Sequence, residues 1–379
     1  MFVNIVLAAW SGAGLLWWLI SWRLVVTARK PATLAPPSRE NKSLTIFKPL
    51  PPLEDRGLEI EARGLESFIA QLDGTSELLL GVHEPDWPEV APFVQRMQAA
   101  YPDARVQVVR RSEADTLANP KIAWEKILVP QATGQLWLWS DADIVAPPEF
   151  LARARVEFET CGAEMLTFPY AIRGLPHQPA ILDALFVNLE FYPGVLFLRR
   201  LGPVNFGLGA AMLFSRDSFL GKVDWQDLGS ALADDFMLGQ MLQPVRLGST
   251  TLETVADVTD WSAAFGHYFR WKKTVYWCQP AGFAAQVLVM PLLGWIGLVA
   301  CHISNIWAWV GLVGMVQADV LFAILICRAI GCPLPNRSWL AIEAWSLSRI
   351  FFWIICWFPG RVRWREKCWS NLKQPGACS

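Results

Sequence analysis

The chain has 379 residues, 53% of them hydrophobic, with 21 Trp, and its mean hydropathy is +0.29. A soluble globular domain rarely carries so apolar a composition, so the class indicated is a membrane protein. A formal net charge of -1 supplies no overall basic signal, and nucleic acid is not an expected partner.

Residues 2–22 hold no charged side chain and are long enough to cross a hydrocarbon core as a helix. A cleaved signal peptide fits poorly, because no basic segment precedes the apolar run and Arg23, Arg29 and Lys30 follow it. With Arg39, Lys42 and Lys48, these cations put the next segment in the cytoplasm by the positive-inside rule. Residues 31–37, Pro-Ala-Thr-Leu-Ala-Pro-Pro, read as a semi-rigid linker. The expected organisation is a first span within 1–28, a linker over 29–43, a cytoplasmic domain over 44–280, a membrane block over 281–358 and a basic tail over 359–379.

Within the domain, 44–48, 77–82, 105–109 and 136–139 read as strands, with helices over 58–72 and 89–101 between them. Such alternation predicts an α/β fold with a mostly parallel sheet and helices on both faces. Ligands of these sheets bind outside the carboxyl ends of the strands. Three polar clusters fall at those ends: Lys48-Pro49, His83-Glu84-Pro85-Asp86 and Ser140-Asp141-Ala142-Asp143. Alone, the last reads equally as a polar turn after a buried strand or as a compact oxygen site for a hard divalent cation that holds a diphosphate. Convergence with the other two clusters favours the second.

Further along, 181–201 has helical period and carries Phe186, Phe191, Tyr192, Phe197, Arg199 and Arg200, the composition of either an interfacial helix or a core one. Residues 208–214 read as an apolar strand. Asp234 and Asp235 open an amphipathic helix, where acidic residues are ordinary for electrostatic reasons. One of the two can also face the crevice as a base that accepts a proton from an alcohol. His267, Arg270, Trp271, Lys272 and Lys273 form a fourth cluster, either an aromatic and basic membrane anchor or a cation for a leaving diphosphate. Lys121, in Asn119-Pro120-Lys121, is a further candidate phosphate partner. His177 and His302 read as structural.

Spans are expected over 281–300, 306–327 and 339–358, the last weakened by Glu343 and Arg349 within it. Three spans after a cytoplasmic domain put the tail outside, yet Arg361, Arg363, Arg365 and Lys367 favour the inside. Either the last segment is re-entrant or the charge rule fails. Of the eight cysteines, Cys161 alone lies centrally and Cys278 at the border, while Cys301, Cys327, Cys332, Cys356, Cys368 and Cys378 belong to the membrane block or tail. This argues against a zinc site or a disulfide framework. No phosphate-binding loop, serine-nucleophile elbow or His-Glu-x-x-His helix is present.

An ordered set of motifs then stands out: Phe47-Lys48-Pro49-Leu50, the acidic group Glu84 and Asp86, Asn119-Pro120-Lys121, Ser140-Asp141-Ala142-Asp143-Ile144, Gly209-Ala210-Ala211-Met212, Ala233-Asp234-Asp235-Phe236 and Phe269-Arg270-Trp271. In this order, over about 47–283, the chain resembles the membrane-bound family 2 and family 21 glycosyltransferases, among them those that glucosylate ceramide and those of hopanoid biosynthesis. The resemblance implies a GT-A fold and transfer of a hexose, glucose or N-acetylglucosamine, from a UDP-sugar to a lipid hydroxyl with inversion. It implies Mg²⁺ or Mn²⁺ on Asp143 and Asp141, and Asp235 as catalytic base. UDP-sugar contacts are implied at Pro49, Glu84, Asp86, Lys121 and Asp141, and contacts to the diphosphate or acceptor at Asp234, His267, Arg270 and Trp271. It also implies a multi-pass protein of a bacterial inner membrane. Two departures stand out: His267 replaces the Gln or Arg that opens the family's (Gln/Arg)-x-x-Arg-Trp motif, and Glu84 or Asp86 stands where the relatives use Asp. A processive polysaccharide synthase shares the pattern but needs a channel that about four spans scarcely provide. A non-catalytic nucleotide-sugar-binding scaffold has no need of a base at Asp235.

Overall fold

A computed structural model describes residues 1–28, 42–53, 58–112, 117–175, 177–256, 258–336, 338–364, 367–373 and 375–377. Residues 29–41 of the expected linker, with Arg29, Lys30 and Arg39, lie outside the described residues, as do Arg365 and Cys378.

Strands β1 (Leu44–Pro49), β2 (Ser76–His83), β3 (Arg105–Arg111) and β4 (Leu136–Trp139) form where the sequence predicts them, and β5 (Met165–Thr167), β6 (Tyr170–Ile172), β7 (Met212–Ser215), β8 (Val245–Leu247) and β9 (Leu252–Thr254) follow. The main sheet has seven strands in the order β3-β2-β1-β4-β7-β5-β8, and β6 pairs with β9 separately. Strands β1 to β4 run parallel, while β7 is antiparallel to both its neighbours. This mixed, parallel-rich sheet is the α/β architecture, of GT-A type, that the resemblance implies.

Side chains alternate across the sheet with period two. Leu44, Ile46, Leu78, Leu80, Leu136 and Leu138 face one core, with α2 (Glu59–Ile69), α3 (Trp87–Ala100) and α5 (Phe150–Cys161) over it. Phe47, Leu79, Trp137, Trp139 and Phe214 face another, covered by α4 (Pro120–Leu128), α8 (Arg216–Lys222), α9 (Trp225–Gly229) and α10 (Asp234–Met241). The register of β1 with β4 sets Phe47 opposite Trp139, so Lys48 emerges level with Ser140.

Residues 208–211, expected as part of a strand, form a loop, and β7 begins at Met212. The predicted 181–201 helix is broken into α6 (Gln178–Phe186), a wide π-helical turn at Val187–Phe191, and α7 (Tyr192–Leu201). Helix α6 is buried from Pro179 to Phe186, as a core helix is, whereas Phe197, Leu198 and Leu201 on α7 are exposed.

Helix α1 (Phe2–Ala28) buries Ser11, Gly14, Trp18, Ser21 and Val25, a stripe of helical period. After α11 (Trp261–Cys278) come α12 (Pro280–Ala285), α13 (Pro291–Cys301), α14 (Ile306–Ile330) and α15 (Trp339–Ile355). Small residues let α1 and α13 approach closely, since a Cβ on Gly14 would lie 2.6 Å from Pro291 and one on Gly294 would lie 2.6 Å from Ser11 Oγ. Asp319 of α14 ties the bundle together, accepting from Trp18 Nε1 at 2.8 Å and Ser346 Oγ at 2.5 Å.

Among the described residues, three helices are long and apolar enough to cross a membrane, 2–28, 178–201 and 306–330, and the pair 280–289 and 291–301, bent by 58°, would make a fourth. The segment 178–201 is 72% buried within the protein. Helix α15, where the sequence places the last span, has 17 residues, about 25 Å at 1.5 Å per residue. It packs on α6, α11 and α14 and buries Arg349 over the rings of Trp345 and Trp18. Beyond it, β10 (Val362–Trp364), β11 (Lys367–Trp369) and β12 (Pro375–Ala377) make a small antiparallel sheet. This sheet folds back on the α/β domain, where Leu232 N donates to Leu372 O at 2.9 Å. Cys161, Cys278, Cys301, Cys327, Cys332 and Cys356 are free thiols; Cys368 in the tail is disulfide-bonded.

Helix α2 grips the Asp-x-Asp turn. A Cβ on Gly64 would meet Ala142 O at 2.2 Å, and Ser67 Oγ accepts from Ala146 N at 2.9 Å. Gly64→Ala is therefore expected to displace the turn and lower stability by about 1–3 kcal/mol, read as a fall in the thermal midpoint of the detergent-solubilised protein. Gly221→Ala, whose Cβ meets nothing within 4 Å, is expected to show no loss.

Candidate active site

Lys48 leaves β1 fully buried, with its ammonium 3.7 Å from the centre of the Phe68 ring. It donates to Ser140 Oγ at 2.9 Å and to Asp141 O at 2.7 Å, and Ser140 Oγ donates to Ala210 O at 2.7 Å. The strand end is thus pinned to the Asp-x-Asp turn and to the 207–211 loop. Burial lowers the Lys48 pKa to about 7, against the pull of Asp143 and Asp141.

Asn119 caps α4, its Oδ1 accepting from Lys121 N at 3.0 Å and Ile122 N at 3.3 Å, and Pro120 takes the first helical turn. The Asn119 amide also donates to Asp234 Oδ1 at 3.2 Å. This cap aims Lys121, whose Nζ lies 2.6 Å from Asp141 Oδ1 and 3.7 Å from Asp234 Oδ2. Burial works against the ammonium, but Asp141 and Asp234 together push its pKa upward. Glu125, one turn on, is buried with neither carboxylate oxygen hydrogen-bonded among the described residues, and burial raises its pKa well above the usual range.

Asp141 is 42% exposed to the cleft, whereas Asp143 accepts from Thr254 Oγ1 at 2.5 Å. Burial and then the neighbouring Asp141 raise the Asp143 pKa. Asp235, near the start of α10, accepts from Gly209 N at 3.0 Å and from Phe236 N at 2.8 Å. Burial, and next Asp234, raise its pKa to about 7. A Cβ on Gly209 would lie 3.5 Å from Asp141 Oδ2, 3.5 Å from Lys121 Nζ and 3.6 Å from Asp235 Oδ2. Three motifs far apart in sequence therefore meet around one glycine.

A cleft of about 330 Å³ at the strand ends is lined by Pro49, Leu50, Lys121, Trp124, Asp141, Asp143, Arg270 and Trp364, among others. Trp124 fits there because Gly81 has no side chain, a Cβ being 2.8 Å from the indole, and its Nε1 donates to His83 Nε2 at 3.0 Å. Glu84 and Asp86 are not among the residues lining this cleft. Glu84 pairs with Arg110 at 3.4 Å, and Asp86 accepts from Leu53 N at 3.2 Å, bracing the loop after β1.

His267 lies within a hydrogen-bonded chain. Trp271 Nε1 donates to His267 Nε2 at 2.6 Å, so the ring proton sits on Nδ1 and is shared with Asp183 Oδ1, also 2.6 Å away. The Trp271 ring packs on Phe191 and Phe186, with centroids 5.7 Å and 6.0 Å away. His267 thus orients the tryptophan from within α11.

Two residues the sequence does not single out join the site. Thr254 reaches Asp143 from β9, and Tyr170 of β6 has its pKa raised well above the phenol range by burial, then by Asp235, Asp141 and Asp143. His177 caps α6, accepting from Ala180 N at 3.4 Å.

A divalent metal fits these residues. Among the described residues no three His, Cys, Asp or Glu side chains converge as a cage. Mg²⁺, however, is commonly held by one or two carboxylates with water and substrate phosphates. Asp141 and Asp143 offer that pair, crowded enough that Asp141 disfavours ionisation of the buried Asp143, and Lys121 already places positive charge against Asp141.

Residues 4–375 match the family described as Glycosyl transferase family 21. The chain belongs to that family. It is a glycosyltransferase. No protein in the curated comparison matches it. Among solved structures, it is similar to the mannosyltransferase PcManGT from Pyrobaculum calidifontis in complex with GDP-Man and Mn²⁺, at 16% identity over 93% of this chain and 98% of that one, with a TM-score of 0.49. It is also similar to S. aureus TarS 1-349 in complex with UDP-GlcNAc, at 11% identity over 82% of this chain and 92% of that one, with a TM-score of 0.37. Likeness at this level says nothing of the substrate of this family 21 chain.

If His267 orients Trp271 as an acceptor, His267→Ala is expected to slow sugar transfer about tenfold through the lost buried hydrogen bond. His267→Gln, which keeps an acceptor oxygen on the same helix face, is expected to stay within about threefold of wild type by the same arithmetic. Transfer rates of the three purified proteins check this, and equal rates for Ala and Gln would count against it.

Proposed function

We propose that this glycosyltransferase transfers a hexose, glucose or N-acetylglucosamine, from a UDP-sugar to the hydroxyl of a membrane lipid such as ceramide or a hopanoid, with inversion and dependence on Mg²⁺ or Mn²⁺. The observation that carries the reading is the meeting of Asp141, Lys121 and Asp235 around Gly209, in a domain built onto apolar helices.

The cleft supports a division of labour. Lys121 and Arg270 supply cationic groups for the departing phosphates, and Pro49, Leu50 and Trp124 supply apolar walls for the nucleoside. Asp143 and Asp141 would hold the metal, which when bound neutralises charge on the leaving diphosphate. Asp235 is the base: its two backbone donors fix both oxygens, and its pKa of about 7 suits proton acceptance near neutrality. The lipid oxygen bonds to the anomeric carbon as the bond to the diphosphate breaks, and the hydroxyl proton passes to Asp235. A single displacement of this kind inverts the carbon. Asp234, tied to Asn119 and Lys121, holds the lysine.

The lipid approaches beside α7. Its exposed Phe197, Leu198 and Leu201 lie next to the end of α1, where Phe197 meets Trp17 with centroids 5.5 Å apart and Arg200 donates to Thr27 at 3.2 Å. Amphipathic aromatic and basic surfaces of this type sit at headgroup level. In the reading favoured here the chain crosses three times, through α1, the bent α12 and α13 pair, and α14. Helix α15 then lies along the surface, and the tail stays on the cytoplasmic side with the catalytic domain, most simply in a bacterial inner membrane. The tail's contact with the domain and its cations support this arrangement; the disulfide at Cys368, a bond of oxidising compartments as a rule, is the one feature that opposes it.

Asp235→Asn is expected to reduce turnover by about 10² to 10⁴-fold. Because the carboxyl must be ionised to accept the proton, wild-type kcat/KM is expected to rise with pH through about 7 and level off above it. The residual Asp235→Asn activity should lack that rise. An unchanged profile in the variant would remove Asp235 from the role.

A further inference from the structure

The C-terminal tail is not a loose basic extension, and its contacts lead to the cleft. Val362 and Trp364 share one face of β10 by strand alternation, and Trp369, paired with Val362 across the ladder, lies on the same face. Val362 is 1% exposed and Trp369 is fully buried. This inner face packs with Leu232 against Ala118, Phe269 and Trp277. Ala118 directly precedes the Asn119-Pro120-Lys121 turn, Leu232 stands two residues before Asp234, and Phe269 directly precedes Arg270. The tail therefore packs against side chains that adjoin three separate parts of the site. It is held by the Leu232 to Leu372 bond and by Lys373 Nζ, 3.4 Å from Asp227. The same face then delivers Trp364 into the cleft lining, along with Lys121, Asp141, Asp143 and Arg270.

We propose that the C-terminal strap forms a wall of the donor cleft and that Trp364 contacts the bound nucleotide sugar, its indole offering a flat apolar face to a ring of that donor. The inference rests on the nucleotide-sugar reading above. It makes donor binding depend on a residue more than 90 positions beyond Arg270, after all the membrane helices. The outward face of β10, with exposed Arg363, has no part in it.

The test is calorimetric binding of UDP-glucose and UDP-N-acetylglucosamine, with Mn²⁺, to the full-length protein in detergent. Trp364→Ala is expected to raise the dissociation constant about tenfold, the scale of one lost stacking contact, and Trp364→Phe to restore it to within about threefold. Should Trp364→Ala not fold, Trp364→Leu keeps apolar volume without a ring and is expected to bind as weakly. Wild-type affinity in a folded Ala or Leu variant would overturn the wall while leaving the donor reading intact. No binding of either UDP-sugar by the wild-type protein would overturn the donor reading, and this inference with it.

Discussion

The repulsion among carboxylates crowded at the strand ends governs how the rest of this molecule is built. Asp141, Asp143, Asp234 and Asp235 stand within mutual electrostatic reach, with buried Glu125 behind them, and two buried ammonium groups answer them. Lys121 bonds directly to Asp141 and sits beside Asp234. Lys48 is aimed at the backbone of the turn rather than at a carboxylate. Burial first, and then a neighbouring carboxylate, raise the cost of ionisation there, which is why Asp143 and Asp235 hold their protons more tightly than ordinary carboxylic acids. Such a site is short of positive charge in a way that suits a divalent cation, and burial and then Asp234 raise the Asp235 pKa to about 7.

The fold supplies the rigidity that this crowding requires. The parallel register of β1 and β4 brings Lys48 level with the Asp-x-Asp turn, α2 braces the turn through Gly64, and the Asn119 cap fixes the direction of Lys121. At the junction with the apolar helices, Glu190 accepts from Tyr268 at 2.5 Å and Trp345 at 2.9 Å, and from Lys272. One carboxylate thereby joins the π-helical turn, α11 and α15. The aromatic surface proposed to meet lipid is thus mechanically continuous with the helix that carries Arg270 and Trp271.

Much of this was legible in the sequence because the informative residues sit at the ends of short, buried apolar strands. Short apolar runs within 44–49, 76–83 and 136–139, buried along nearly their whole length, identify the strands, and polar residues directly after them mark the crevice. The Asp234-Asp235 pair stood out at a helix start, and the order of the motifs pointed to the family. The 207–211 loop was not legible: its apolar composition imitates a strand, while its actual use is to present the Gly209 amide to Asp235. Strands β5, β6, β8 and β9 have three residues each, too few to show a period. Thr254 and Tyr170 enter the site through the long-range pairing of β6 with β9, for which no local signal exists. His267 looked like an altered ligand contact, and its bonds to Trp271 and Asp183 depend on the packing of α11 against α6. The tail read as a charge run because its inward face holds only alternate residues.

The most direct test of sugar transfer to a lipid is to express the chain in membranes, supply UDP-glucose or UDP-N-acetylglucosamine with Mn²⁺ and candidate lipid alcohols, and identify the products by mass spectrometry. The expected result is a lipid carrying a single hexose or N-acetylhexosamine, formed by the wild-type protein and absent with Asp235→Asn. A polymeric saccharide, or no glycosylated lipid with any donor and acceptor, would contradict the account.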